Sequence, residues 1–175
     1  FIKVMKERRV VVTGLGVISP IGNNVKDFWQ GLITGKSGIT RITRFDAALF
    51  DSQIAGEVKG FDASGVIPAK ELKRMEEFVQ YAVVSAKEAI TDAKLNLEKE
   101  DPNRIGVIVG SGIGSLRVIE EQHNIYLAKG PGKLAPLLIP MLIVNEAAGW
   151  VSIMFGLKGP NSCVATACAS GSHAV

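Results

Sequence analysis

Cys168 sits in the stretch Val164-Ala165-Thr166-Ala167-Cys168-Ala169-Ser170-Gly171-Ser172-His173-Ala174, where a β-prone run gives way to small residues at a single thiol. The thiol falls where a helix would begin. A helix N-terminus carries roughly half a positive charge and unsatisfied N–H groups, which favour thiolate over thiol and can hold a developing oxyanion. The small neighbours Ala167, Ala169, Ser170 and Gly171 leave room for a substrate to approach. The chemistry on offer is nucleophilic attack by sulfur. The competing reading is a small apolar core residue, because free cysteine is among the most buried side-chain types.

Strands and helices must deliver that thiol. Arg9-Val10-Val11-Val12-Thr13 is a β-branched run ending in Gly14-Leu15-Gly16, which predicts a buried strand and a tight turn. Asn23 and Asn24 precede Val25, Phe28, Trp29, Leu32 and Ile33 at helical spacing, with Gly35 placed to end the helix. Residues 36 to 68 show no sustained period and read as a surface excursion with short strands, one near Ile54 to Val58. From Glu71 to Lys94 apolar residues recur every three or four positions, which predicts one long helix with a buried face. A second strand, Ile105 to Val109, runs into Gly110-Ser111-Gly112-Ile113-Gly114-Ser115 and then a helix with Leu116, Ile119 and Tyr126 on one side. Pro131, Pro136 and Pro140 mark an irregular passage, a helix follows from about Val144 to Phe155, and a last strand from about Ser162 to Ala167 carries the chain to Cys168. Strands alternating with helices predict an α/β domain with helices covering the sheet.

Composition excludes several function classes. The chain has 175 residues, 47% of them apolar, which is enough for a core. Charged residues make up 21% and the net charge is only +3, so nothing points to nucleic acid. Cys163 and Cys168, five positions apart, match neither a zinc spacing nor a disulfide framework, and two histidines do not readily complete a metal site. Reduced thiols and a cytoplasmic location are expected. The apolar start from Phe1 to Met5 is too short for a signal peptide or a membrane span.

Two glycine clusters invite a nucleotide reading and both fail it on spacing. In Thr13-Gly14-Leu15-Gly16-Val17-Ile18-Ser19-Pro20-Ile21-Gly22 the third glycine comes six positions after the second, with a proline where the fingerprint helix would start. Gly110-Ser111-Gly112-Ile113-Gly114 lacks the GxGxxG spacing and any P-loop lysine. Tight turns and close backbone approach near a pocket are the expected use of these glycines.

Taken in order, Arg8-Arg9-Val10-Val11-Val12-Thr13-Gly14-Leu15-Gly16, Ser19-Pro20-Ile21-Gly22, Gly110-Ser111-Gly112-Ile113-Gly114, Gly156-Leu157-Lys158-Gly159-Pro160-Asn161 and Ala165-Thr166-Ala167-Cys168-Ala169-Ser170-Gly171 resemble the successive motifs of β-ketoacyl-acyl carrier protein synthases, most closely the type II elongating enzymes. The resemblance runs from about Lys6 to the last residue. It implies a thiolase-like α/β fold of two similar halves, of which residues 1 to 175 make the nucleophile-bearing first half, and a homodimer. It implies that Cys168 takes an acyl group from acyl carrier protein and that malonyl-acyl carrier protein then loses carbon dioxide and attacks the acyl thioester. The product is a 3-oxoacyl chain longer by two carbons, as in fatty acid elongation. No cofactor is implied, since phosphopantetheine arrives on the carrier protein.

The family's two histidines, lysine and phenylalanine-glycine-rich loop belong to the second half. His173 does not replace them, because on a helix starting at Cys168 a residue five positions on points about 140° away from it. His123 lies beside Glu120, Glu121 and Gln122 and reads as exposed or structural. The chain is therefore expected to be part of a longer one and inactive in condensation alone, the more so because a helix of about two turns after Cys168 falls below the ~12 to 15 residues that make an isolated helix stable.

On the substrate side, the resemblance implies that Ile113 borders and gates the acyl pocket, and that Leu138 stands where close relatives often carry an aromatic residue. Lys70, Lys73 and Arg74 resemble the basic group that docks acidic acyl carrier protein, and their three- and four-residue spacing would put them on one helix face. Two other classes remain open: a polyketide-type ketosynthase, and a non-catalytic ketosynthase-like scaffold half.

Overall fold

The computed structural model describes residues 9–175. Arg8 of the first motif and the apolar start lie outside the described residues.

The first helix forms as its sequence dictates. Helix α1 spans Val25–Ile33, Asn24 caps it by accepting a hydrogen bond from the Asp27 N–H at 2.8 Å, and Gly35 follows it with φ +66. Two short strands, β1 (Ile39–Arg41) and β2 (Ile54–Gly56), then pair antiparallel inside the surface excursion. At their base the Glu57 carboxylate accepts from the Thr43 N–H and hydroxyl, at 2.9 and 2.7 Å, which holds it below the usual carboxylate range.

The run expected to be a strand at Arg9 to Thr13 has no regular secondary structure, and Val10, Val11 and Val12 are exposed. A strand needs a neighbour to take its N–H and C=O groups, and none of the described strands lies beside it. The following residues attach to a helix instead: the Leu15 and Val17 N–H groups donate to Asp92 Oδ2 and Glu88 Oε2 at 3.0 and 2.9 Å. Glycine allows this contact. A Cβ on Gly14 would lie 2.2 Å from Ala89 O and one on Gly16 1.9 Å from Ser85 O. The first glycine cluster is a packing face, with its α-carbons against a helix.

The helix expected from Glu71 to Lys94 is two helices, α2 (Ala69–Leu72) and α3 (Glu77–Asp92). Glu76 breaks it. Its backbone is extended (φ −70, ψ 160), and its buried carboxylate accepts from Ser115 Oγ at 3.0 Å and Arg117 Nη2 at 2.9 Å. Apolar periodicity runs through the break because Met75 belongs to the same core as Val79 and Val83.

Beyond it, β3 (Val107–Gly110) leads to α4 (Leu116–Lys129), α5 (Leu138–Leu142), α6 (Glu146–Phe155) and β4 (Asn161–Val164). Strands β3 and β4 pair in parallel, with Val107 opposite Asn161 and Gly110 opposite Val164. The last helix, α7, spans Ser170–Ala174. The core lies between α3 and α6 and under β3: Val79, Val83, Val107, Ala147, Ala148 and Val151 are its buried members, joined by Ala63, Ile67 and Met75. Much apolar surface remains uncovered. On α4, Leu116, Ile119, Tyr126 and Leu127 are exposed and only Val118 is buried.

Candidate functional site around Cys168

The parallel pair β3–β4 brings two loops side by side. The β4 strand stops at Val164, three residues short of the expected end, and Cys168 follows in a 3-10 turn, Ala167–Ala169, two residues before α7 begins. Cys168 therefore precedes the helix and does not open it. Its side chain is exposed, which removes the buried-core reading.

The turn is strained. Ala167 has φ +49, a region that costs a residue with a Cβ roughly 1–2 kcal/mol. Local bonds hold it: the Thr166 N–H donates to Ser170 Oγ at 2.9 Å, the Ser170 hydroxyl donates to Ala167 O at 2.6 Å, and the Ala169 N–H donates to Thr166 O at 3.1 Å. Thr166 Oγ1 also lies 2.8 Å from His173 Nδ1, so the imidazole is engaged with the threonine.

The β3 loop faces this turn. Ser111, Gly112, Ile113 and Gly114 line with Ala167 and Cys168 an open cavity of 440 Å³. Glycine is required on that side: a Cβ on Gly110 would lie 2.2 Å from Ser170 O, and Gly114, at φ +77, packs against Leu142 O. The structure thus brings together two of the residues singled out in the sequence, Cys168 and Ile113, and leaves Ile113 exposed in the cavity wall.

Leu138 is elsewhere. It lines a second, apolar cavity of 350 Å³ with Ile119, Gln122, His123, Tyr126, Leu134 and Leu142. The two linings touch at one point, where a Cβ on Gly114 would lie 2.1 Å from Leu142 O. Cys163, on β4, is half-buried with its Sγ 4.0 Å from Ser111 O, and it is outside the cavity's lining.

The basic cluster does not share one helix face. Lys70 lies in α2, Lys73 caps its end and Arg74 falls in the turn before α3. The break at Glu76 is the cause. All three side chains nevertheless remain exposed, and Arg74 Nη1 lies 3.5 Å from Glu71 Oε2 in a surface pair.

Residues that periodicity and motif spacing do not reveal hold the frame. Ser170 is 4% exposed, and a hydroxyl three and four residues after the groups it binds, Ala167 and Thr166, is the one sequence hint of its bonds. Glu146 is 7% exposed on α6, with Oε1 accepting from Trp150 Nε1 at 3.1 Å and Oε2 buried without a partner. Burial, assisted by the charge of Glu76, pushes its carboxyl up to about 7. Among the described residues no cluster of His, Cys, Asp and Glu could hold a metal ion, and no helix is long and apolar enough to cross a membrane.

Comparison with known proteins gives this arrangement a family. Residues 7–175 match the family model described as Beta-ketoacyl synthase, N-terminal domain. The chain is 50% identical over 171 residues to a 3-oxoacyl-[acyl-carrier-protein] synthase 2 of Synechocystis sp., covering 98% of this chain and 41% of that protein. It is 48% identical over 169 residues to the Coxiella burnetii protein of the same name, covering 97% of this chain and 41% of the relative. Among solved structures, a beta-ketoacyl synthase from Burkholderia phymatum superposes with a TM-score of 0.79 at 28% identity, covering 95% of this chain and 41% of that one. A type II PKS acyl-carrier protein in complex with its ketosynthase bound to the hexaketide matches with a TM-score of 0.80 at 26% identity, covering 96% and 44%. The chain thus spans about two fifths of the length of the relatives it matches. Its α/β architecture, with helices over a sheet, is thiolase-like, and the chain belongs to the β-ketoacyl synthase family through that family's N-terminal domain.

Proposed function

We propose that this chain is the nucleophile-bearing half of a 3-oxoacyl-acyl carrier protein synthase of fatty acid elongation. The observation that carries the reading is the placement of an exposed Cys168 on a strained strand-to-helix turn, in one cavity with Ile113. In the first step the Cys168 sulfur attacks the carbonyl of an acyl thioester; the bond from that carbonyl to the phosphopantetheine sulfur breaks and the carrier leaves as a thiol. In the second, malonyl-acyl carrier protein loses carbon dioxide, the electron pair of the broken C–C bond attacks the acyl carbon, and the bond to Cys168 sulfur breaks. Covalent capture splits one difficult condensation into two easier steps.

The rest of the machinery, two histidines, a lysine and a Gly-rich loop, would come from a second similar half. The exposed apolar residues of α4 support burial against further protein, either that half or the partner in a homodimer. Ile113 would gate the acyl pocket. Leu138 would line the neighbouring apolar cavity, in which a chain threading past Ile113 could end. Acyl carrier protein would dock on Lys70, Lys73 and Arg74, exposed cations suited to an acidic surface. No resident cofactor is needed, since phosphopantetheine arrives with the substrate, and the protein would work in the cytoplasm without nucleic-acid or membrane partners. Identities of 50% and 48% to proteins named 3-oxoacyl-[acyl-carrier-protein] synthase 2 favour fatty acid elongation over polyketide assembly.

The test is mass spectrometry of the full-length protein mixed with acyl-acyl carrier protein. The acyl mass is expected on the peptide containing Cys168 and is expected to vanish in Cys168→Ala along with condensation. An acyl adduct of undiminished yield in Cys168→Ala would reject the reading.

A further inference from the structure

We infer that Ser170 is a positioning residue for the acylation of Cys168, acting as a clamp that keeps Ala167 in its left-handed conformation; this rests on the proposed role of Cys168. The argument begins with Ala167. At φ +49 a residue with a Cβ is disfavoured, and an unrestrained turn would return to negative φ and carry the next side chain to a new direction. The next side chain is Cys168. Something must oppose that relaxation, and the Ser170 hydroxyl is placed to do so from both sides of the strained residue. Its oxygen accepts from the Thr166 N–H at 2.9 Å and its hydrogen goes to Ala167 O at 2.6 Å, so one side chain ties the Ala165–Thr166 peptide group to the Ala167–Cys168 peptide group, with Ala167 held between them.

Ser170 itself is fixed. It is 4% exposed, and the backbone of Gly110 at the end of β3 lies directly against it, where a Cβ would meet Ser170 O at 2.2 Å. The clamp thus transmits the position of the parallel sheet to the turn. His173 adds a second tie through Thr166 Oγ1, on the far side of the same turn. None of these groups faces substrate as a reacting group. Their effect is on where the sulfur stands relative to the cavity shared with Ile113, and misplacement of a reacting atom by about 1 Å can cost 100-fold in rate.

The test uses the full-length protein in three forms: the parent, Ser170→Ala, and the double variant Ala167→Gly with Ser170→Ala. Glycine tolerates positive φ, so it replaces the clamp by removing the strain. Two readouts are taken, the single-turnover acylation of Cys168 and the hydrogen exchange of the Thr166 amide. In Ser170→Ala, the maximal acylation rate is expected to fall by about 10- to 100-fold with little change in the donor concentration that half-saturates it, and Thr166 exchange to accelerate. In the double variant most of the acylation rate is expected to return while Thr166 exchange stays fast, a split that loss of general stability would not produce. Parental acylation in Ser170→Ala, or a double variant as slow as Ser170→Ala, would overturn the inference. Should Ser170→Ala fail to fold, the double variant decides: a folded, acylating protein supports the clamp, and an unfolded or slow one rejects it. Failure of the functional reading is separate, since it would show in the parent as an acyl group on a residue other than Cys168 while the exchange at Thr166 still reports on Ser170.

Discussion

The α-carbon of Gly110, the last residue of β3, rests against the backbone carbonyl of Ser170, so near that a methyl group there would stand 2.2 Å from the oxygen. The sheet and the helix after Cys168 are therefore in backbone contact. Gly110→Ala forces one of them to move, and overpacking of this kind costs typically about 1–3 kcal/mol. The expected outcome is a lower midpoint of chemical denaturation and acylation of Cys168 slowed at least about 10-fold. Unchanged acylation kinetics would mean that α7 can shift without carrying the sulfur with it.

Glu146 sets a pH dependence of stability. Its folded carboxyl titrates at about 7 against an ordinary value of 4.5, raised first by burial, so the folded state holds a proton that the unfolded state has released between those values. Stability contributed by this residue falls as pH rises from about 4.5 to about 7 and is flat above it. Glu146→Gln keeps a polar group for Trp150 and removes the titration. It is expected to stabilise the protein at pH 8 by on the order of 2 kcal/mol and to do little at pH 4, as measured by urea denaturation at both. Equal effects at the two pH values would show that the carboxyl does not titrate in this range.

The docking role proposed for Lys70, Lys73 and Arg74 rests on their common exposure, since they do not share a helix face. Replacing all three with glutamate is expected to raise the KM for carrier-bound acyl substrate about 10-fold or more and to leave the KM for a free acyl thioester nearly unchanged. The difference should shrink as salt is added, because exposed charges are screened. An equal rise for both substrates would reject the docking role.

Ile113 is exposed toward the cavity that holds Cys168, so its size is expected to set what passes. Ile113→Phe should slow acylation by long acyl chains about 10-fold or more while short chains acylate at near the parental rate. A uniform loss across chain lengths would make Ile113 a packing residue and not a gate.

The chain announces some of this in its sequence and conceals the rest for definite reasons. Cys168 and the glycines of residues 110 to 114 stand out because small residues at a strand end have few uses other than close approach, and the structure does set them face to face. Helix α1 stands out because its cap and its stop are both local. The division between α2 and α3 is hidden because the residue responsible, Glu76, is held by Ser115 and Arg117, some forty positions away. Val10 to Val12 read as a strand because their side chains favour one, yet pairing depends on a neighbour that periodicity cannot supply. The shared face expected of the three basic residues failed for the same reason as the long helix. Leu138 came from family resemblance alone, and only tertiary packing assigns it to the apolar cavity beside α4.

The amino-terminal segment is fastened to α3 by the carboxylates of Glu88 and Asp92, the former also accepting from the Val25 N–H that opens α1 at 2.8 Å. Its other fastening is bare backbone, the α-carbons of Gly14 and Gly16 lying against Ala89 O and Ser85 O. The front edge of the molecule is thus joined to its centre twice over, by side-chain oxygens and by steric fit, and removing either alone leaves the other holding.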